Sequence, residues 1–308
     1  MKKILIIGSS SFIGLPIVQR LSQNKKWKVS GTYQDHNPLE DLVLQKVSLQ
    51  KLDMLSKREL QSCLQLAAPD VIVHCAAMSN VDECEKNPQQ CFLHNVSPVQ
   101  TIVDYCKFNP EVKYIFFSSS EVFDGKKGKP YTEKDRCSSL NTYGKYKTEA
   151  EGLVGSLQNK AIIRPCLVFG IPKEYQHRNI FNYIYKTLKE GKTFTAYQDM
   201  IRTPTYVNDI PAMVESIIMK DKTGIFHTGG RATSISGFAK EVADHFGFPE
   251  ELIISKKSNG NEVAYKPIDN RLDCTYTKKE LDILFRSLAE ALPELSSEIK
   301  RSEARGAA

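Results

Sequence analysis

The chain has 308 residues, a formal net charge of +6, 25% charged residues and eight cysteines. That length suffices for one large domain or two closely joined ones. The charge is modest, and its basic patches, Lys25-Lys26 and Gly125-Lys126-Lys127-Gly128-Lys129, fall in predicted loops, which argues against a nucleic-acid-binding protein.

Met1-Lys2-Lys3 and the apolar residues after it look like the start of a signal sequence, but a glycine-rich turn follows where a cleavage site would stand. Lys3-Ile4-Leu5-Ile6-Ile7 therefore reads as a buried strand ending at Gly8, with no membrane segment and a cytoplasmic location expected. In Gly8-Ser9-Ser10-Ser11-Phe12-Ile13-Gly14, Gly8 permits a tight turn and Gly14 lets the next helix pack closely on the strand. Leu15, Val18 and Leu21 mark the apolar face of that helix, and Pro16 is tolerable in its first turn. Its N-terminus would offer free N–H groups to a pyrophosphate. Ser11 stands where the dinucleotide fingerprint has its middle glycine, and two glycines alone also suit an ordinary strand-to-helix turn.

Trp27 to Tyr33 reads as a second strand, followed by a helix; Asp70 to Ala77, Val112 to Ser119 and a segment opening at Ala161 read as further strands. Strands that are apolar throughout and alternate with helices predict an α/β fold, a Rossmann-type doubly wound parallel sheet with ligands at the carboxyl ends of its strands. The cysteines are dispersed without a Cys-x-x-Cys and the six histidines are scattered, so reduced core thiols and no metal site are expected. A carboxylate at the end of the second strand would bind the ribose hydroxyls of NAD and repel the extra phosphate of NADP. Here the strand ends in Thr32-Tyr33, with Asp35 still within reach, and NADP(H) is favoured over NAD(H).

Ser118-Ser119-Ser120 closes one of the strands; the serines suit a substrate carbonyl, a turn or a helix cap equally. Tyr143 and Lys147 follow, four residues apart and so on one face of a helix. Such pairs are common on solvated helices. An ammonium one turn from a phenol also tunes it for proton transfer, and beside a strand-end serine the pair has the parts of a carbonyl reductase. In the C-terminal third, Asn179 to Gly191 and Ser236 to Phe246 read as helices, the second with Phe238, Val242 and His245 on one face. Residues 171–308 are expected to form mainly a smaller C-terminal α/β substrate lobe. Residues 1–170 would form the dinucleotide-binding domain, with a returning strand around 203–228. Arg202 offers a planar fork to a nucleotide diphosphate, or a strand-edge salt bridge, and Arg164 before Pro165 offers another. The tail from Arg301 to Ala308 is expected to fray.

Taken together, the loop from Gly8 to Gly14, the strand Pro69 to Ala77, Val81 to Pro88 leading to Asn95, Phe117-Ser118-Ser119-Ser120-Glu121-Val122-Phe123-Asp124-Gly125, Pro130-Tyr131-Thr132-Glu133, Tyr143-Gly144-Lys145-Tyr146-Lys147 and Arg202 to Ile210 resemble the extended short-chain dehydrogenase/reductases of the dTDP-4-dehydrorhamnose reductase type. The resemblance spans nearly the whole chain. It implies Ser119 as the group polarising a carbonyl, Tyr143 as general acid, Lys147 as its electrostatic partner, and Asn95 as support for the catalytic helix or part of a proton relay. It implies cofactor contacts from Gly8, Ser10, Ser11, Phe12, Ile13, Gly14, Tyr33, Asp53, Met54, Ala76, Ala77, Tyr143 and Lys147; for Asp53 a helix-capping role is an equal alternative. Substrate contacts are implied for Ser120, Glu121 and Arg202. The pattern departs from the family at Ser120 and Glu121, where an acidic residue and a tyrosine are expected, and at His74-Cys75 in place of Asn-Ala. The implied activity is NADPH-dependent reduction of a nucleotide-linked 4-keto-6-deoxy sugar. The alternatives are an NADP-binding regulatory subunit like the methionine adenosyltransferase β-subunit, and a nucleotide-sugar epimerase or dehydratase, which Glu121 keeps open. Expected partners are the nucleotide-sugar substrate and, as an open expectation, a second copy in a homodimer.

Overall fold

The structure, a computed structural model, describes residues 1–41, 47–258 and 263–306, with the backbone alone at 39, 40, 305 and 306. The first half runs β1 (Lys2–Ile7), α1 (Gly14–Leu21), β2 (Trp27–Tyr33), β3 (Ser48–Lys51), α2 (Lys57–Ala67), β4 (Val71–His74), α3 (Val81–Lys86), α4 (Pro88–Asn95), α5 (Ser97–Phe108), β5 (Lys113–Phe117), α6 (Thr142–Gly155) and β6 (Lys160–Pro165). The second runs β7 (Val168–Phe169), α7 (Ile180–Lys189), β8 (Phe194–Tyr197), β9 (Ile201–Arg202), β10 (Thr205–Tyr206), α8 (Ile210–Met219), β11 (Gly224–Thr228), β12 (Thr233–Ser234), α9 (Ile235–Phe246), β13 (Ile253–Lys256), α10 (Thr275–Leu281) and α11 (Leu288–Gly306).

Among the described residues seven strands form one parallel sheet in the order β11-β6-β5-β4-β1-β2-β3. Successive side chains of a strand point to opposite faces, and here both faces are covered. Ile4 and Ile6 of β1 enter a core with Val18 and Leu21 of α1 and Met213 and Ile217 of α8. Leu5 and Ile7 enter another with Leu60 and Leu64 of α2, Ile102 of α5 and Val154 of α6. Burying each such side chain stabilises the fold by about 1.5–3 kcal/mol, which is why the strands read as continuous apolar runs. The doubly wound parallel sheet is the fold the sequence predicts.

Three details differ from the sequence reading. β3 was not expected; it is a polar edge strand, Ser48-Leu49-Gln50-Lys51, paired on one side only and mostly exposed, so it carries no apolar signature. β4 and β5 end early, at His74 and Phe117, which releases residues 75–80 and 118–119 into loops at the carboxyl edge. The end of the chain continues as helix through Gly306; residues 307 and 308 of the expected frayed tail lie outside the described residues.

A third core joins α7, α9 and α11 through Phe181, Ile184, Phe238, Val242, Leu292 and Leu295, packed on Phe169 and Tyr206. His245 lies one step further along the face of Phe238 and Val242, in the last turn of α9, and is exposed there. Ala239 and Ala243 complete the buried face. Among the described residues no helix is long and apolar enough to cross a membrane, and the eight cysteines are free thiols, six of them buried.

Candidate active site

Two parts of the sheet's carboxyl edge carry the expected residues. Gly8 leaves β1 at φ +87°, and a β-carbon at Gly14 would stand 2.1 Å from Gly8 O. α1 can approach β1 this closely only because position 14 is glycine. Ser11, in the middle glycine's place, accepts a hydrogen bond from Gly14 N through its hydroxyl at 3.0 Å and closes the turn itself. Ile13 at the helix N-cap receives no side-chain cap, which leaves the helix N-terminus suited to an anion. Ala76 packs directly against Gly8, and Cys75 N and Ala76 N both donate to Ile7 O, so the 75–77 loop flanks the glycine turn.

The second part is the N-terminal half of α6. Asn141 caps the helix, its Oδ1 accepting from Gly144 N at 2.8 Å. Tyr143 and Lys147 then fall on one buried face, joined one turn later by Glu151. The close approach of this helix to the 119–122 turn depends on Gly144, where a β-carbon would meet Glu121 O at 2.0 Å. The three serines diverge. Ser118 donates to Glu151, Ser119 accepts from Glu121 N at 3.1 Å with its hydroxyl near the Tyr143 phenol, and Ser120 meets Asn270 Nδ2 at 3.2 Å.

Burial pushes the Tyr143 phenol well above its ordinary pKa, and the Ser119 hydroxyl pulls it back. Burial brings Lys147 down to about 8, against the pull of the thiols and the Glu151 carboxylate around it. Its Nζ donates to Phe117 O at 2.9 Å and sits 5.9 Å from the Tyr143 ring centre. Behind it lies a two-pronged ion pair: Arg164 Nε and Nη2 reach the Glu151 oxygens at 2.8 and 2.6 Å. Arg164 is therefore held away from any diphosphate. Asn95 is buried; its Nδ2 donates to Met78 O and Cys91 O, both at 3.0 Å, and its Oδ1 has no partner among the described residues. It braces the 75–80 loop through Met78 O. His74 is buried beside Tyr114 Oη at 2.8 Å, and burial followed by the Lys147 charge lowers its pKa to about 3.

The remaining sequence candidates are placed differently. Tyr33 ends β2 and its carbonyl accepts from Leu52 N, which brings Asp53 and Met54 beside that strand end. Asp53 is exposed and its Oδ1 accepts from Leu55 N at 2.9 Å, while Ser56 caps α2; Met54 is buried. Arg202 is buried, with Nη1 and Nη2 donating to the carbonyls of Ile201, Ile268 and Pro267. Those two nitrogens, the prongs a diphosphate would use, hold the 267–268 backbone. Glu121 is half-buried, its oxygens bound by Asn141 and Asn270.

Sequence reasoning missed Asn141, Asn270 and Glu151. Asn141 carried a signal, an asparagine just before a helix start, and Glu151 another, the next step of the Tyr143–Lys147 spacing. Asn270 carried none. Also missed was the 171–178 segment, which crosses to the glycine turn: Gln176 Nε2 donates to Ser10 O at 2.9 Å, and Tyr175 stacks on His36 with ring centres 3.4 Å apart.

A glycine turn and a serine–tyrosine–lysine set at the carboxyl edge of one parallel sheet define an oxidoreductase of the extended short-chain dehydrogenase/reductase class. Within that class the chain belongs to the family described as RmlD substrate binding domain, whose model matches residues 1–301. It is 29% identical over 269 residues to the dTDP-4-dehydrorhamnose reductase of Sinorhizobium fredii, covering 81% of this chain and 84% of that one. It is 25% identical over 283 residues to methionine adenosyltransferase 2 subunit beta of Danio rerio, covering 89% and 83%. Among solved structures it is similar to a hypothetical dTDP-4-dehydrorhamnose reductase from Sulfolobus tokodaii, with a TM-score of 0.80, 28% identity, and coverage of 94% of this chain and 98% of that one.

Proposed function

We propose that this protein is an NADPH-dependent reductase that converts the 4-keto group of a nucleotide-linked 6-deoxy sugar, of the dTDP-4-dehydrorhamnose kind, into a hydroxyl. The observation that carries the reading is Lys147 on the same buried helix face as Tyr143, with the Ser119 hydroxyl close enough to pull the phenol's pKa down. The named reductase relatives support the substrate class. The residues present suit a nicotinamide dinucleotide: the Gly8–Gly14 approach opens a helix N-terminus to a pyrophosphate, and Lys147 Nζ keeps donors for ribose hydroxyls beyond its bond to Phe117 O. The bound reduced cofactor supplies the hydride that adds to the carbonyl carbon. Ser119 holds the carbonyl oxygen, and Tyr143 delivers a proton to it as the C–O double bond becomes a hydroxyl. Lys147, as a cation, lowers the cost of the phenolate that remains.

A second reading, a regulatory subunit that binds the cofactor on behalf of a partner enzyme, is favoured by the similarity to methionine adenosyltransferase 2 subunit beta. The two separate on one assay. Mixing purified protein with NADPH and dTDP-4-dehydrorhamnose should consume reduced-nicotinamide absorbance catalytically. NADPH binding without consumption, together with co-purification of a methionine adenosyltransferase, would favour the second.

A further inference from the structure

Glu121 stands two residues beyond the serine that meets the Tyr143 phenol. A carboxyl group there is placed to serve as a second acid–base group, and with one the same pocket could eliminate water from the carbon next to the carbonyl. Here both of its oxygens are already engaged as acceptors. Oε2 accepts from Asn141 Nδ2 at 2.8 Å, and Oε1 from Asn270 Nδ2 at 3.0 Å; both asparagines are fully buried. Asn141 Nδ2 also donates to Tyr265 O at 2.9 Å while its Oδ1 caps α6. Asn270 Nδ2 also reaches Ser120 Oγ.

The stretch 264–273 that carries Asn270 is itself fastened along its length. Lys266 pairs with Asp82 at 3.0 Å, Arg202 Nη2 donates to Pro267 O at 2.6 Å, and Tyr131 N donates to Arg271 O and accepts at its carbonyl from Asp273 N, both at 2.7 Å. One carboxylate thus joins three pieces of chain: the turn after Ser119, the first turn of the catalytic helix, and this wall segment.

Resting on the reductase reading, the geometry points to Glu121 as a positioning residue that fixes Ser119 and Tyr143 against the 264–273 wall. Both oxygens act as acceptors of amide N–H groups, the pattern of a carboxylate. Ser120 beside it has no group that ionises near neutral pH and is engaged by Asn270. Glu121 N donates to Ser119 Oγ, so any shift of residue 121 passes to the hydroxyl that meets Tyr143.

Exchanging donor and acceptor tests this. Glu121→Gln sets an amide NH2 against one of the asparagine NH2 groups. Glu121→Gln combined with Asn270→Asp restores a donor–acceptor pair in the reverse sense and keeps the net charge of the pair, and the Ser120 hydroxyl can follow the exchange because it both donates and accepts. Glu121→Gln is expected to lower kcat by on the order of 10–100-fold, as misplacement of reacting groups does, with NADPH affinity unchanged. The double variant should recover at least about tenfold of that loss. A Glu121→Gln protein with wild-type kcat, or a folded, NADPH-binding double variant no better than the single one, would overturn the assignment. If the wild type reduces no sugar nucleotide, the same cycle is read by thermal unfolding: a double variant melting above the Asn270→Asp single variant supports the clamp, and additive shifts of Tm refute it. The reductase reading and the clamp therefore fail on different readouts.

Discussion

The two halves of α6, the helix that carries Tyr143 and Lys147, are built on different physics. Its first turn, Asn141 to Gly144, is placed by the hydrogen bonds of one asparagine amide and by the absence of a side chain at Gly144. Its second and third turns carry buried ions, Lys147 and Glu151, balanced across to Arg164 on β6. The first half governs where the reacting groups stand, and the second governs what charge they feel. A change in the first should disturb geometry and turnover, whereas a change in the second should disturb folding and titration.

The largest expected effect lies in the charged half. Glu151→Ala leaves the Arg164 guanidinium buried without its carboxylate, a cost of about 3–5 kcal/mol, to be read from urea unfolding. A loss below about 1 kcal/mol would mean the pair is solvated and the contrast false. Gly144→Ala drives a methyl group into Glu121 O and should cost about 1–3 kcal/mol, with a disproportionate fall in kcat because Tyr143 moves with the helix. Asn141→Ala removes the cap, worth about 1 kcal/mol, and also the donors to Glu121 and Tyr265 O. Its KM and kcat should suffer more than its stability.

The smallest effect is a titration. Lys147 loses its proton near pH 8 in the fold and near about 10.4 when unfolded. Between those values the unfolded chain binds the extra proton, so stability should rise with pH across that window relative to a Lys147→Met variant. NADPH affinity should weaken as pH rises through about 8, because the cation is lost. Paired unfolding and fluorescence titrations over the same pH series check both signs; parallel trends in stability and affinity would contradict the account.

What the sequence made legible follows the same division between local and distant order. The parallel sheet was readable because strands such as Ile4-Leu5-Ile6-Ile7 are buried on both faces, and Tyr143 with Lys147 was readable because a helix turn converts a four-residue spacing into one face. Ser119 was readable as a strand-end serine, though nothing local distinguished it from Ser118 or Ser120, whose side chains turn to Glu151 and Asn270. Arg164 and Arg202 look like ligands in sequence because an arginine fork suits a phosphate. Arg164 is engaged by Glu151, and Arg202 by main-chain carbonyls, partners set by tertiary packing. Asn270 lies 149 residues from Glu121, and no period or propensity connects them.

The central claim is that Tyr143 gives the proton while cofactor binding rests on other groups. The direct measurement is single-turnover NADPH oxidation with dTDP-4-dehydrorhamnose by the wild type and by Tyr143→Phe, each with its NADPH affinity. The account predicts matching affinities and a rate lower by on the order of 10²–10⁴-fold in the variant, the usual scale of a lost general acid. A Tyr143→Phe protein that binds NADPH and oxidises it at nearly the wild-type rate would contradict it.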